Sequence, residues 1–133
     1  MRHRIVGKKL GRDDDHRKAL LRNLAGQVID KEEAETTLAK AKYLRPYLER
    51  LITRAIKASK ADDSVVKYNA VKYLKGKIYP QDSVKKLFDS ILPRFMNVPG
   101  GYTKVTRTRN RDGDGALMAR IEFSKEAGKK SAK

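Results

Sequence analysis

Acidic residues in one segment of this sequence could hold a calcium ion. The match to a calcium-binding loop consists of Asn110, Asp112, Asp114 and Gly115, at loop positions 1, 3, 5 and 6. The last position of such a loop needs a bidentate carboxylate, but here it is Ile121, with Glu122 one residue late. The flanking residues also have a strand pattern instead of two helices. The segment is therefore interpreted as the turn of a β-hairpin.

A second acidic run, Asp13–Asp15, could be imagined as the magnesium site of a nuclease. Adjacent carboxylates on a helix point in different directions, and capping of a helix N-terminus explains them without a metal. The two histidines, His3 and His16, have no cysteine or i, i+4 histidine partner. We interpret them as contacts to RNA or as surface residues, and we expect no metal site.

No motif in the sequence predicts catalysis. There is no cysteine, which excludes disulfides and thiolate chemistry and fits a reducing compartment such as the cytoplasm. No phosphate-binding loop, dinucleotide fingerprint or Ser/His/Asp arrangement is visible. The longest apolar run, residues 116–119, is far below the ~18 residues of a membrane helix. We therefore expect no enzyme activity, cofactor, small-molecule substrate, membrane association or secretion.

Charge is the dominant property of the chain. Its 133 residues are enough for one domain, and they carry 32 basic against 16 acidic side chains, a net charge of +16. A polyanion is therefore the predicted partner. A solvated face accounts for scattered lysines such as Lys57 and Lys85, but not for the acid-free basic segment at residues 2–12.

The strongest cation clusters lie in the N-terminal segment, on the first predicted helix and on a predicted strand near the C-terminus. Tyr102 joins them because a tyrosine between Gly101 and a basic strand could stack on a base. The candidate RNA-binding residues are Arg2, His3, Arg4, Lys8, Lys9, Arg12, His16, Arg17, Arg22, Tyr102, Lys104, Arg107, Arg109 and Arg111.

The elements that position these residues follow from hydrophobic spacing. Residues 1–12 have no helical or strand period and are predicted to be an extended basic arm that orders on binding. Asp13–Asp15 begin a helix, and the long amphipathic pattern from Leu38 predicts a second one. Pro46 lies inside that pattern and predicts either a kink or a helix boundary one residue earlier.

Two further helices and a hairpin are predicted after the long helix. Asp62 and Asp63 begin a helix that ends at Gly76, and Pro80–Ser83 begin another that Pro93 stops. Residues 102–109 and 117–123 are predicted to be paired strands. The predicted organisation is thus the arm 1–12, one globular domain at 13–123 and a lysine-rich flexible tail at 124–133.

Motifs along most of the chain resemble those of the seventeenth protein of the bacterial large ribosomal subunit. In the first half they are Met1-Arg2-His3-Arg4, Leu10, Arg12, His16-Arg17, Arg22-Asn23, Thr36-Thr37-Leu38, Lys40-Ala41-Lys42, Leu44-Arg45-Pro46 and Leu51-Ile52-Thr53. In the second half they are Leu87-Phe88, Pro93-Arg94-Phe95, Gly100-Gly101-Tyr102-Thr103-Lys104, Gly113-Asp114-Gly115, Met118-Ala119 and Ile121-Glu122. No single motif is decisive, but the order and spacing of these motifs together make the resemblance specific.

The resemblance implies a two-layer α+β fold: a helix, a short strand, three helices and a hairpin, with a small mixed sheet. Only the resemblance places the short strand, near residues 31–37. It also implies a structural protein that binds large-subunit ribosomal RNA, helps assembly, and lies near the peptide exit beside other ribosomal proteins. Members of the family more often have small polar residues where this chain has Asp13–Asp15. The three carboxylates of this chain argue against phosphate contacts from that helix start.

These observations together predict an RNA clamp, in which the arm threads into RNA while the folded body grips phosphates. Scattered cations contact the backbone, so recognition of RNA shape is expected. A DNA-binding nucleoid protein is the alternative, although no helix-turn-helix spacing or minor-groove wedge is evident. An RNA-processing nuclease would require metal-dependent turnover.

Overall fold

The computed structural model describes residue 3 and residues 7–124. Arg2, Arg4 and all but the first residue of the predicted tail lie outside the described residues. The described chain has four helical segments and three strands. Their order is α1 (Asp14–Lys31), β1 (Glu33–Thr37), α2 (Leu38–Lys60), α3 (Ser64–Lys75), α4 (residues 82–95), β2 (Thr103–Asn110) and β3 (Leu117–Phe123). This order confirms the expected helix, strand, three helices and hairpin.

Capping residues begin α1 and α3, as predicted. The Asp13 carboxylate accepts a hydrogen bond from the His16 N–H at 3.0 Å, and the Asp63 carboxylate accepts one from the Val65 N–H at 2.8 Å. Each carboxylate satisfies an N–H that the helix itself leaves without a partner. At its other end α3 stops before Gly76, also as predicted.

The long helix α2 runs without interruption from Leu38 to Lys60, so of the two alternatives predicted at Pro46, a kink or a helix boundary, the boundary is wrong. Pro46 has no N–H to donate to the carbonyl of Lys42, four residues earlier. Pro46 and Lys42 are both exposed, so water can satisfy that carbonyl. The proline is therefore accommodated on the solvent side of the helix.

The fourth helical segment does not end at Pro93, contrary to the prediction. It consists of Asp82–Lys86, a wider π-helical turn at Leu87–Ile91, and Leu92–Phe95. The Leu92 N–H donates to the carbonyl of Leu87, five residues back. Widening of this kind relieves the clash between a proline ring and the carbonyl four residues back, so the helix continues to Phe95.

The sheet has the strand order β1-β3-β2, and both neighbouring pairs are antiparallel. The expectation of a mixed sheet was therefore wrong, because the sheet is entirely antiparallel. In β1, Ala34 and Thr36 are buried, whereas Glu33 and Glu35 are exposed. Side chains alternate between the faces of a strand, so one face of the sheet packs on the helices and the other is open to solvent.

The hydrophobic core lies between the helices and this sheet. It draws on every helical segment and on β1 and β3, and the partly buried Val105 of β2 packs against it. Its largest fully buried side chains are Val28 and Ile29 of α1, Leu44, Leu48 and Ile52 of α2, Leu74 of α3, Ile78, Leu87, Ile91, Leu92 and Phe95 in or near α4, and Ile121 of β3. Charged side chains are left outside this core, on the surface of the domain.

Candidate nucleic-acid interface

The described part of the arm places its lysines in solvent. Lys8 and Lys9 are exposed, as is His3. Leu10 and Gly11 have φ angles of 56° and 65°, which turn the chain, and the Arg12 N–H donates to the Lys9 carbonyl at 3.1 Å. The Arg12 guanidinium is partly buried and donates to the Leu10 carbonyl at 2.8 Å. The lysines are thus the described arm residues most open to a polyanion.

The first turn of α1 combines carboxylates and cations. Asp14 pairs with Lys18 at 2.7 Å and with Arg17 at 3.4 Å. The Lys18 ammonium, through a hydrogen bond and its charge, lowers the pKa of Asp14, and the carboxylate in turn raises the pKa of Lys18. Arg17 also donates to the Arg12 carbonyl at 2.9 Å, which ties the end of the arm to the helix. This internal pairing reduces the positive potential at the helix start.

Arg22 lies further along α1 and is exposed. Its positive charge opposes the rise that burial causes in the pKa of Tyr47 in α2. The Tyr47 hydroxyl donates a hydrogen bond to the Lys77 carbonyl at 2.6 Å. Burial raises the pKa of Tyr47 to about 12, against the opposing charges of Arg22 and Arg50. The hydroxyl is therefore protonated at neutral pH. Around it, α1 lies close to α2 and to the chain that follows α3.

The hairpin cations differ in how far they are neutralised. Lys104 and Arg107 are exposed and form no ion pair within residues 7–124. Arg109 pairs with Glu35 of β1 at 3.2 Å, where Glu35 also accepts from the Thr108 hydroxyl. The charges of Lys104 and Arg107 are therefore not neutralised by these residues, whereas the charge of Arg109 is partly neutralised by its salt bridge with Glu35.

Arg111 holds the hairpin turn. Its guanidinium donates to both carboxylate oxygens of Asp114, which also accepts from the Ala116 N–H. The Arg111 hydrogen bond lowers the pKa of Asp114 to about 2. Asp114 is thus committed to the turn that the sequence predicted. Across the described residues, no group of three or more histidine or acidic side chains is arranged to hold a metal ion.

Tyr102 is not available for base stacking, so its predicted role is corrected. It is 2% exposed, and its ring packs edge-on against Phe95 with the ring centres 5.5 Å apart. The Glu49 carboxylate accepts from the N–H groups of Tyr102 and Thr103, at 3.3 and 2.9 Å, and fixes the backbone there. The ring is consequently part of the core, since stacking on a base requires an open face.

The predicted residues form separate groups. Arg12 and Arg17 are in contact, but no hydrogen bond or ion pair within residues 7–124 joins either one to the hairpin cations. The surface offers exposed guanidinium and ammonium groups on several elements. Such a surface can bind phosphates at several points. No helix in the described part of the chain is long and apolar enough to cross a membrane.

Comparison with known proteins gives a consistent result. A family model described as "Ribosomal protein L17" matches residues 20–124. The chain is 46% identical over 123 residues to the large ribosomal subunit protein bL17 of Campylobacter lari, covering 92% of this chain and 98% of that protein. The protein of the same name from Campylobacter concisus is 45% identical over 126 residues, with 95% and 100% covered. That of Thermomicrobium roseum is 45% identical over 123 residues, with 92% and 98% covered.

The chain belongs to the ribosomal protein L17 family. It is therefore a structural constituent of the large ribosomal subunit, located in the ribosome in the cytoplasm, and not an enzyme. The family match includes Arg22, the hairpin and all of α2, but it begins after the arm. The L17 family resemblance stated from the sequence motifs is thus confirmed.

One group of cations in this L17 family member was not singled out from the sequence. Arg50, Arg54 and Lys57 of α2 line a groove of about 650 Å³ together with Tyr73 of α3 and Lys77. We call this feature the α2 groove. The interpretation of Lys57 as part of a solvated face left out its neighbours. The available signal was the spacing of 4 and 3 residues, which places all three cations on one side of a helix.

Proposed function

We propose that the chain is an RNA clamp of the large ribosomal subunit. In this proposal the arm, residues 2–12, threads into ribosomal RNA and becomes ordered there. The folded body grips phosphates through His16, Arg17 and Arg22 and through the hairpin cations. The observation that carries the proposal is the charge distribution: a net charge of +16, with an arm that contains no acidic residue. Neutralising phosphates releases counterions, so such a distribution favours a polyanion.

Recognition in this proposal depends on the shape of the RNA. Cations that contact the backbone fix orientation and carry little sequence information. In addition, the deep major groove of an RNA helix hides the base edges from side chains. The burial of Tyr102 removes the stacking contact that the sequence suggested for this tyrosine. We therefore propose that the clamp recognises a junction where several backbone segments come within reach of separate cations.

The family membership supports a role in building the subunit. We propose that binding at such a junction stabilises it during assembly. We further propose that the protein lies near the peptide exit and contacts neighbouring large-subunit proteins. Exit location and protein neighbours follow from the resemblance to the family, whereas the RNA contacts also have support from the exposed cations described above.

A sucrose-gradient profile of cell lysate tests the proposed function. The protein should migrate with large subunits and whole ribosomes at about one copy per large subunit, and it should remain there at moderate salt, because many phosphate contacts act together. A ribosomal protein of the small subunit, followed in the same fractions, is the control. Recovery at the top of the gradient or with nucleoid DNA would overturn the proposal and favour the DNA-binding alternative.

A smaller effect is expected at the hairpin. Arg107→Ala should lower the slope of log affinity against log salt for deproteinised large-subunit rRNA by about 0.7, the value for one phosphate contact on single-stranded RNA. Arg107 is the suitable residue because it is exposed and has no ion pair within residues 7–124. Lys85→Ala, an exposed cation on α4, is the control and should leave the slope unchanged. An unchanged slope for Arg107→Ala would remove this residue from the interface.

A further inference from the structure

The α2 groove concentrates cations that no carboxylate of the described residues neutralises. Arg50, Arg54 and Lys57 are exposed on α2, and Lys77 faces them from the chain that follows α3. None of these four forms an ion pair within residues 7–124. This distinguishes them from Arg17, Arg109 and Arg111, which pair internally. The cations of the groove are therefore not neutralised by a salt bridge, unlike those at the start of α1 and at the hairpin turn.

The single acidic residue that lines the groove is already occupied. Glu49 accepts hydrogen bonds from the Thr103 N–H at 2.9 Å and from the Thr103 hydroxyl at 2.7 Å. Its carboxylate is thereby directed at the start of β2. Four cations and one committed carboxylate line the same cavity, which is the composition expected of an anion-binding surface.

Contacts with the Tyr73 ring and the spacing along α2 also define how the groove cations are arranged. The Arg54 guanidinium lies over the Tyr73 ring, with its central carbon 3.8 Å from the ring centre, and the Lys77 ammonium is 5.6 Å from the same centre. Stacking on the ring restricts Arg54 and leaves the edge of its guanidinium free to donate. Arg50 and Lys57 are seven residues apart, about 10 Å along the helix axis. The groove thus presents a row of donors and not one isolated charge, and stacking on Tyr73 holds the Arg54 guanidinium in that row.

A second cavity connects this row to the arm. Tyr47 and Arg50 line both the α2 groove and an adjoining cavity of about 430 Å³, whose other walls include Gly7, Lys8 and Lys42. Gly7 and Lys8 of the arm therefore lie beside the groove. A strand of RNA held by Lys8 would meet Lys42 and Arg50 next, and then Arg54 and Lys57.

We propose that the α2 groove is a second RNA-binding site, which holds a segment of phosphodiester backbone with Arg50, Arg54, Lys57 and Lys77 and continues the path of the arm. This inference rests on the proposed function as an RNA clamp. RNA fits the groove better than an acidic peptide does. The groove adjoins the arm through the cavity that Gly7 and Lys8 also line, and the exposed face of its Tyr73 ring is already covered by Arg54.

The test compares two triple variants of the full chain that lose the same charge. The groove variant is Arg50→Gln/Arg54→Gln/Lys57→Gln, and the control variant is Lys31→Gln/Lys75→Gln/Lys85→Gln, at three exposed lysines outside the groove. Filter binding to deproteinised large-subunit rRNA is measured over a range of salt concentrations. The groove variant should lose about 2 units of salt slope and about 50-fold in affinity at about 0.15 M salt. The control variant should bind nearly as the wild type does.

A second measurement avoids substitutions, because loss of the Arg54 stacking could affect folding. Lysines of the wild-type protein are acetylated with and without the rRNA and located by mass spectrometry. Lys57 and Lys77 should be protected by RNA more strongly than Lys75 and Lys85. Equal modification of all four lysines would overturn the groove site.

The outcomes separate this inference from the function on which it rests. If the wild-type protein fails to bind the rRNA, the clamp itself is wrong. If it binds and the groove variant retains its affinity and slope, only the groove site is wrong. Equal losses in both triple variants would show that net charge alone matters. Normal RNA binding with loss of a neighbouring ribosomal protein would instead identify the groove as a protein contact.

Discussion

Deletion of residues 2–12 should leave the body folded while weakening binding to deproteinised large-subunit rRNA several hundred-fold at about 0.15 M salt. The deleted segment contains five arginines and lysines. If each neutralises one phosphate, the salt slope falls by about 3.5 units, which corresponds to that loss of affinity. The truncated protein should also be recovered largely outside the large-subunit fractions of a sucrose gradient.

The body should remain folded because the arm contributes little to the core. The buried core residues begin at Leu21, and Leu10 is only partly buried. The α1 cap, Asp13, is retained. The deletion does remove the hydrogen bond from Arg17 to the Arg12 carbonyl and the approach of Gly7 to the Tyr43 ring. Circular dichroism and urea unfolding should therefore show only a small loss of stability.

Two controls identify the cause of the lost binding. Replacement of the five arm cations by glutamine keeps the length of the arm and should reproduce the effect of the deletion if charge is responsible. Deletion of residues 125–133 removes four lysines from outside the proposed clamp and should cost much less affinity. If the tail deletion is equally harmful, the arm has no special role. Normal incorporation of the arm deletion into large subunits would contradict the clamp directly.

Local sequence signals were sufficient for most helix ends and for the hairpin. The carboxylates of Asp13 and Asp63 act on N–H groups two or three residues away, and Gly76 follows the last turn of α3. The Asp114 turn likewise closes through Arg111 and Ala116. Interactions of this kind are visible in a short window of sequence, because both partners lie within it.

Strand β1 could not be found from its residues, and the structure explains the difficulty. Glu33 and Glu35 occupy its exposed positions, while Ala34 and Thr36, which are buried, are small. Buried and exposed positions do alternate along the strand, but the buried side chains are too small and too weakly apolar to give a clear strand pattern. The exposed carboxylates are stabilised across the sheet, where Glu33 faces Arg120 and Glu35 pairs with Arg109. These partners are more than seventy residues away in the sequence.

The candidate site required tertiary information for the same reason. Tyr102 is next to exposed cations in the sequence, but it is held inside the core by Glu49, which is 53 residues away along the chain, and by the ring of Phe95 in α4. The α2 groove exists only because Tyr73 and Lys77 pack beside α2. Charge counts were enough to predict a polyanion as the partner. The assignment of individual side chains to core or surface depended on contacts between elements.

Phe95→Ala should lower the free energy of unfolding by about 3–5 kcal/mol, the range for truncation of a fully buried phenylalanine. Phe95 is 0% exposed and lies at the junction of α4 with the sheet, where its ring contacts Tyr102 and Phe123. Collapse of the neighbours into the space is restricted, because Glu49 fixes the backbone of Tyr102. A loss of this size is a large fraction of the ~5–15 kcal/mol that stabilises a typical domain.

Phe88→Ala is the matched control, because Phe88 is in the same helical segment but only partly buried. This substitution should lower the free energy of unfolding by less, about 1–2 kcal/mol, because the partly exposed Phe88 ring buries less apolar surface than the Phe95 ring does. Urea unfolding of both variants provides the comparison, and equal losses would contradict the position assigned to Phe95. The fraction of Phe95→Ala protein that remains folded should bind rRNA with the wild-type salt slope, because counterion release depends on the surface cations and not on the core. A reduced slope in this variant would show that the core positions the cations, and that stability and RNA binding in this protein are coupled.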